Sequence, residues 1–353
     1  MAESNATILI PDISGFTEFM TTTELSHASH AINILIDVML KAVDNSYEVS
    51  EIEGDAVLLI KKGPAPSKKE ILGTCLEIFN AFHFQRLWMQ QYTICPCGAC
   101  QALINLTLKF VAHHGPLAEI KIGNFVKQSG PEMIVAHRLL KNSIDNHEYL
   151  LLTEKLLSQS VDSSDSVEME WTSSSEEYAS IGKVEYRFTL LNEARKKVAG
   201  PPLPQNDYRT DNTTYLEIPI AASCLDAYML IMEIPSRPEW VPGMLKAEQE
   251  FPTPFVGSIH HCTFEDHEAI ISPLRMTITN ERVMYAESHK VKEPGLSLVY
   301  EFVFKKTGEN TCSFAARFLN TATVTIEPDT QSRFFKHMQE LAEALKAHFD
   351  LKI

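Results

Sequence analysis

Two stretches near the start of the chain decide the fold: Ile8-Leu9-Ile10-Pro11-Asp12-Ile13-Ser14-Gly15-Phe16-Thr17 and Glu51-Ile52-Glu53-Gly54-Asp55-Ala56-Val57-Leu58-Leu59. Each sets a carboxylate beside a glycine at one end of an apolar, β-type run. Two carboxylates held on adjacent strands make a hard-oxygen site suited to Mg²⁺ or Mn²⁺. Gly15 lets the backbone turn tightly before a helical run that begins at about Phe16, and a helix N-terminus offers N–H groups to a phosphate. Carboxylates for a metal beside a cradle for phosphate are the minimal kit for moving a nucleotidyl group.

Working outward, 353 residues are enough for two domains with separate cores. The formal charge of −15 argues against a nucleic-acid or anionic-membrane surface, which needs clustered Lys and Arg. Nothing at the start reads as a signal peptide and no apolar run approaches a membrane span, so a cytoplasmic location is expected. Seven cysteines, an odd number, suit a reducing compartment better than a disulfide framework.

Residues 17–42 carry apolar positions at helical spacing, interrupted at Thr21, Thr22 and Thr23, which predicts two helical pieces. Tyr47 to Ile60 reads as β-type. A helix is expected from Ser67 to about Gln91, with Ser67 as cap and Glu70 three residues on. A strand is expected at 102–112, a helix at 131–143, and strands at 148–153 and 184–191. Between 158 and 180 the composition shifts to Ser, Asp and Glu around an isolated Trp171, which predicts a flexible insertion. Gly200-Pro201-Pro202-Leu203-Pro204 marks a stiff linker, placed at 196–212 between a first domain at 1–195 and a second at 213–353.

A third stretch, Lys127-Gln128-Ser129-Gly130-Pro131-Glu132-Met133-Ile134-Val135-Ala136-His137-Arg138-Leu139-Leu140, completes a pattern. Asp-Ile-Ser-Gly-Phe-Thr, then Gly-Asp-Ala, then this segment resemble the catalytic domain of class III nucleotidyl cyclases, in order and spacing over about residues 6–193. The resemblance implies an α+β, ferredoxin-like domain that converts a nucleoside triphosphate to a 3′,5′-cyclic nucleotide with Mg²⁺ or Mn²⁺. It assigns Asp12, Asp55 and the Ile13 carbonyl to metal, Gly15, Phe16, Thr17 and Gly54 to the nucleotide's surroundings, and Arg138 to charge neutralisation in the transition state. It also implies a homodimer, with Asp12 and Asp55 from one subunit and Glu51, Lys127 and Arg138 from the other. Ile134 stands where the family has a transition-state asparagine, and isoleucine cannot donate that hydrogen bond.

Glu51 and Lys127 fall at the family's base-reading positions. Guanine presents donors at N1 and N2 and an acceptor at O6, matching Glu51 and Lys127 respectively. Uracil fits as well, while adenine opposes both, so GTP or UTP is expected over ATP. Read only as charges, the two are solvated or paired with each other.

Cys95-Pro96-Cys97-Gly98-Ala99-Cys100 is the densest cysteine cluster, and could hold zinc if His83, His113 or His114 completed four ligands. Buried apolar cysteines or a redox-sensitive turn are the other readings.

The second half reads as strand, helix, Pro235-Ser236-Arg237-Pro238-Glu239-Trp240, several alternating strands and a long amphipathic helix at about 328–349. That order resembles the START-like, polyketide-cyclase-type helix-grip fold. The resemblance implies an apolar cavity for a small hydrophobic ligand. On the strand carrying them, His260 and Cys262 should share one face and His261 the other. The alternatives to an active cyclase tuned by a ligand are a non-catalytic nucleotide- or metal-binding module with a ligand sensor, or a lipid or polyketide carrier dimerised through a cyclase-like half.

Overall fold

The structure is a computed structural model that describes residues 3–123, 125–160, 169–202, 208–209, 216–249, 254–292, 297–321 and 328–351. The chain divides into two compact units, one of residues 1–91 and 97–201, the other of 92–96 and 202–353. The expected boundary at 196–212 thus falls between 201 and 202, and a short piece after the long helix joins the second unit, where Thr93 bridges Phe255.

In the first unit β1 (Glu3–Ser14) leads through α1 (Phe16–Thr22) and α2 (Leu25–Lys41) to β2 (Glu48–Glu53) and β3 (Ala56–Lys62). There follow α3 (Lys68–Tyr92), α4 (Gly98–Ala102), a 3₁₀ turn (Leu103–Asn105), β4 (Thr107–Ile122), β5 (Phe125–Ser129) and α5 (Pro131–Leu139). The unit ends with β6 (Tyr149–Thr153), α6 (Glu154–Gln159), β7 (Thr172–Tyr178), β8 (Gly182–Leu190) and α7 (Asn192–Lys196). The strands form one sheet in the order β2-β3-β1-β4-β6-β8-β7, with β5 paired to β4. All pairs are antiparallel except β4 with β6, whose parallel pairing needs the crossover that contains α5.

Both faces of this sheet are covered, so the central strands are apolar on both sides. In β1 and β3, Leu9, Ile13, Val57 and Leu59 pack with Leu35 of α2 and Phe79 of α3. Their alternate neighbours Ile8, Ile10, Leu58 and Ile60 pack with Met133 and Ala136 of α5. Strand periodicity of two distributes one apolar run between two cores.

Several expectations change in detail. Residues 47–60 are a hairpin rather than one strand, because Gly54 takes a left-handed φ of 67°, as a two-residue hairpin turn demands. The strand expected at 102–112 starts later and runs on through His113-His114-Gly115, since β1 offers a full ladder as far as Glu3↔Ala118. At Gly115 an added Cβ would come 2.8 Å from Glu132 Cγ, so glycine leaves room for the Glu132 side chain of α5 in this position. The helix expected at 131–143 stops at Leu139. Of the expected insertion at 158–180, residues 161–168 lie outside the described ones, but 172–178 form edge strand β7 against β8. Edge pairing satisfies its backbone while Ser173, Ser175 and Glu177 face water, Glu176 accepts from Ser143 and Tyr186, and Trp171 packs on the core beneath Lys68. Ser67 and Glu70 do make a capping box: the Ser67 N–H donates to Glu70 (2.7 Å) and the Glu70 N–H to Ser67 Oγ (3.2 Å).

The second unit contains β9 (Tyr208–Arg209), β10 (Leu216–Ile220), α8 (Cys224–Met232), a 3₁₀ turn (Ile234–Glu239) and β11 (Met244–Gln249). Strands β12 (His260–Phe264), β13 (Glu268–Ile278), β14 (Arg282–Val291), β15 (Ser297–Lys306) and β16 (Cys312–Phe318) follow, then β17 (Asn320–Thr321) and α9 (Pro328–Asp350). Seven strands make an antiparallel sheet in the order β10-β16-β15-β14-β13-β12-β11. His260 and Cys262 are buried and His261 is exposed, as alternation requires. Most of 203–215, including much of the expected linker, lies outside the described residues. No helix among the described residues is long and apolar enough to cross a membrane.

The interior of the second unit contains a charged group. Arg237, from the 3₁₀ turn, and Glu287 of β14 have side chains only 1% and 0% exposed. They form two hydrogen bonds, of 2.9 and 2.6 Å, while His289 Nε2 lies 2.8 Å from Glu287 Oε1. Arg237 also donates to the Ile231 carbonyl at the end of α8. Burial would raise the Glu287 pKa, but Arg237 and the hydrogen bonds outweigh it and hold the carboxyl well below its usual range.

Replacing Arg237 by Met should therefore cost the second unit about 3–5 kcal/mol in urea unfolding, because Glu287 is left charged, buried and unpaired. The Arg237→Met, Glu287→Met double variant should recover much of that loss. A carboxylate with a depressed pKa stabilises fully above its unfolded pKa of 4.5, so the wild-type contribution should hold at neutral pH, begin to decline below 4.5 and be lost only as pH approaches the much lower folded value. Equal destabilisation by the single and double variants would refute the pair's role.

Candidate functional site

The β1–β3 and β1–β4 ladders build the candidate site. Asp12 lies opposite Ala56 on one side and opposite Lys109 on the other. Asp55 occupies the tip of the β2–β3 hairpin, where its carbonyl accepts a 3.0 Å bond from the Ile13 N–H. The hairpin glycine therefore sets Asp55 beside the segment that carries Asp12. The Phe16 ring lies beside Gly54, at ordinary contact distance (3.7 Å) from where a Cβ would stand. Gly15 has φ 88°, and an added Cβ would lie 3.3 Å from the Asn105 carbonyl, so the turn after β1 is fixed by conformation and by close approach. The helix that follows, α1, is only seven residues long, and Thr17 lies exposed on it.

Lys109 is the residue that sequence reading missed. Its ammonium stands 3.5 Å from Asp12 Oδ1, and both side chains are largely buried. The only signal for it was a lysine amid apolar neighbours on β4, legible once register is known. Burial raises the Asp12 pKa above its ordinary 3.8, the Lys109 charge opposes that, and the Asp55 charge adds to it. Asp55 is raised too, again through burial first, with its own backbone and Lys109 pulling the other way. Two carboxylates that repel each other in a half-buried place, beside one ammonium, favour a cation. Asp12, Asp55 and the adjoining carbonyl at Ile13 are hard-oxygen donors that fit Mg²⁺ or Mn²⁺.

Glu51 on β2 and Lys127 on β5 do meet. Lys127 Nζ lies 2.8 and 2.9 Å from the two carboxylate oxygens of Glu51. The hydrogen bond from Lys127 lowers the Glu51 pKa, and the same bond raises that of Lys127. Arg138 projects from the exposed side of α5, whose Arg138 carbonyl accepts from the Tyr178 hydroxyl at 3.0 Å. With Met133, Ile134, His137, Lys141 and Tyr178 it lines an open hollow of about 460 Å³. Ile134 is 55% exposed there. His137 faces Glu53 at 3.5 Å.

None of the three histidines expected beside the cysteine cluster lies there. His83 Nε2 is 3.1 Å from Glu148, His113 bonds Thr153 and Glu132, and His114 bonds Thr7. His27, on α2, takes that place instead. Helix α2 runs past the segment containing α4, a proximity that no local sequence signal encodes.

Residues 32–149 match the family described as protein of unknown function DUF2652. A segment of 117 residues is 32% identical to the uncharacterized protein Rv2561/Rv2562 of Mycobacterium tuberculosis, covering 33% of this chain and 54% of that one. The chain thus spans about half the length of that relative. Among solved structures, the guanylyl cyclase Cya2 is similar over 53% of this chain and 92% of its own, at 14% identity and a TM-score of 0.40. The adenylyl cyclase CyaB from P. aeruginosa is similar over 54% and 95%, at 15% identity and a TM-score of 0.39.

The Lys109 ammonium competes with any cation for Asp12. Lys109→Met should therefore tighten Mn²⁺ binding by about tenfold, the equivalent of about 1.4 kcal/mol. Asp12→Asn and Asp55→Asn should each weaken it strongly. Titration of the full chain followed by Mn²⁺ electron paramagnetic resonance reads both effects, and weaker binding in Lys109→Met would show that Lys109 supports the site instead.

Proposed function

We propose that the first unit is a divergent nucleotidyl cyclase-like module that binds a nucleoside triphosphate with Mg²⁺ or Mn²⁺. The observation that carries this reading is the hairpin tip of Asp55 bonded to the backbone next to Asp12, with the Asp55 charge acting on Asp12 and Lys109 as a countercharge to both. When bound, the ion would supply Lewis-acid activation of the ribose hydroxyl and charge neutralisation at the phosphates. Asp12 and Asp55 hold the place for it, and the Ile13 carbonyl lies alongside. Gly15, Phe16, Thr17 and Gly54 border the nucleotide, and Arg138 acts on the transition-state charge from the second subunit of a homodimer. Glu51 and Lys127, already paired to each other, exchange that pair for the edge of guanine or uracil.

The second unit, on this proposal, is a START-like, helix-grip module whose small hydrophobic ligand tunes the first. The buried hydroxyl of Tyr300, which has no hydrogen-bond partner among the described residues, offers one polar contact for such a ligand.

A second reading has specific support. Ile134 presents an exposed apolar side chain at the position of the family's asparagine, and Lys109 already neutralises part of the Asp12 charge. Both features suit a module that binds nucleotide without turning it over.

Mass-spectrometric product analysis of the full chain, with Mn²⁺ and each nucleoside triphosphate in turn, separates the readings. The expected result is slow formation of a cyclic nucleotide from GTP or UTP, abolished by Asp12→Asn and by Asp55→Asn. In Glu51→Lys, Lys127→Asp, preference should move toward ATP. Nucleotide binding without product from any triphosphate would establish the non-catalytic reading, and faster turnover of ATP than of GTP and UTP by the wild type would overturn the base assignment.

A further inference from the structure

We propose that His27, Cys97 and Cys100 of the first unit hold a structural zinc, separate from the carboxylate site, with Cys95, adjacent along the chain, as the fourth ligand. The ligand atoms of His27, Cys97 and Cys100 lie within 4.8 Å of one another. His27 Nδ1 is 3.2 Å from Cys97 Sγ and 3.9 Å from Cys100 Sγ. A zinc tetrahedron with Zn–S of about 2.3 Å and Zn–N of about 2.0 Å has edges of roughly 3.5–3.8 Å, so these distances bracket the required spacing. Cys95, two residues before Cys97 in the sequence, supplies the third sulfur.

The turn that carries the ligands is independently arranged for a metal. Cys97 is the N-cap of α4, and the Cys100 N–H points at its sulfur, 3.5 Å away. An amide directed at a sulfur stabilises the thiolate form, which is the form that ligates. Glu24, at the N-cap of α2, accepts from the N–H groups of Gly98 (3.2 Å) and Ala99 (2.9 Å). Glu24 thereby fixes the Cys97–Cys100 turn to the helix that carries His27, three residues on. A Cβ on residue 98 would stand 3.3 Å from Glu24 Oε2, so glycine keeps that clamp close. Glu24 is a positioning residue and supplies no ligand atom.

Three thiolates and one neutral imidazole fill a tetrahedral shell and leave no open position, which assigns the metal a structural role. Zinc replaces the thiol protons, so its uptake releases protons to solvent. The braced segment leads into the 3₁₀ turn at 103–105, and the Asn105 carbonyl lies against Gly15 beside the carboxylate site. The metal would thus stiffen one wall of that site without taking part in its chemistry, and its presence does not depend on cyclase activity.

The test is elemental analysis of the purified full chain, expressed with zinc in the medium and washed with a weak chelator. The expected content is about one zinc per chain. Replacing zinc by Co²⁺ should give thiolate-to-cobalt charge transfer in the near ultraviolet and the visible bands of tetrahedral cobalt. His27→Ala, Cys97→Ser and Cys100→Ser should each lower affinity by well over tenfold in chelator competition, and Glu24→Ala by about tenfold or more. Cys224→Ala, in the second unit, should keep full zinc content. The wild-type metal content and cobalt spectrum decide the matter even if a ligand variant fails to fold. A folded wild-type chain without zinc and without the cobalt bands would overturn the proposal, as would a disulfide among Cys95, Cys97 and Cys100 in reduced-handled protein. Full zinc content in a folded His27→Ala, Cys97→Ser double variant would overturn it too.

Discussion

The antiparallel pairing of β1 with β4 is the constraint on which the first unit depends. Its register runs from Glu3↔Ala118 to Ser14↔Thr107 without a break, and a slip of one residue would turn every side chain of β1 to the other face. Ile8 and Ile10 would leave the core under α5, and Leu9 and Ile13 the core under α2 and α3. The same register sets Lys109 against Asp12. Packing on two apolar faces therefore fixes a polar arrangement that has little stability of its own.

That arrangement is costly in isolation. Burial raises the proton affinity of both Asp12 and Asp55, the Asp55 charge raises that of Asp12 further, and Lys109 relieves only part of the effect. Proteins keep such groups where a ligand can compensate them. On the proposed reading, a cation at the carboxylates would satisfy the charge, and the Glu51–Lys127 pair would trade its partner for a base.

The second unit handles buried charge in the opposite manner. Arg237 and Glu287 pair with each other, and His289 and the Ile231 carbonyl add further hydrogen bonds. Such a closed network specifies how the 3₁₀ turn, α8 and β14 pack, and holds the Arg-Pro-Glu-Trp segment in one place.

The sequence alone determined the apolar β-type runs of β1 and β3, the two-piece helix after Gly15, the Ser67–Glu70 capping box and the alternation of His260 and Cys262, because each follows from local spacing. It also marked Asp12, Asp55 and the Cys95–Cys100 cluster as chemistry-bearing. It did not show that residues 47–60 fold back at Gly54, since an apolar run reads the same straight or hairpinned until a positive φ is known. Nor did composition reveal β7, where an edge strand of Ser and Glu is ordered by its neighbour's hydrogen bonds and not by its own burial. Lys109 beside Asp12, His27 beside the cysteines and Glu287 beneath Arg237 were decided by tertiary structure alone. Each joins residues between 50 and 97 positions apart, and such contacts are set by strand register and helix packing, which no local pattern encodes.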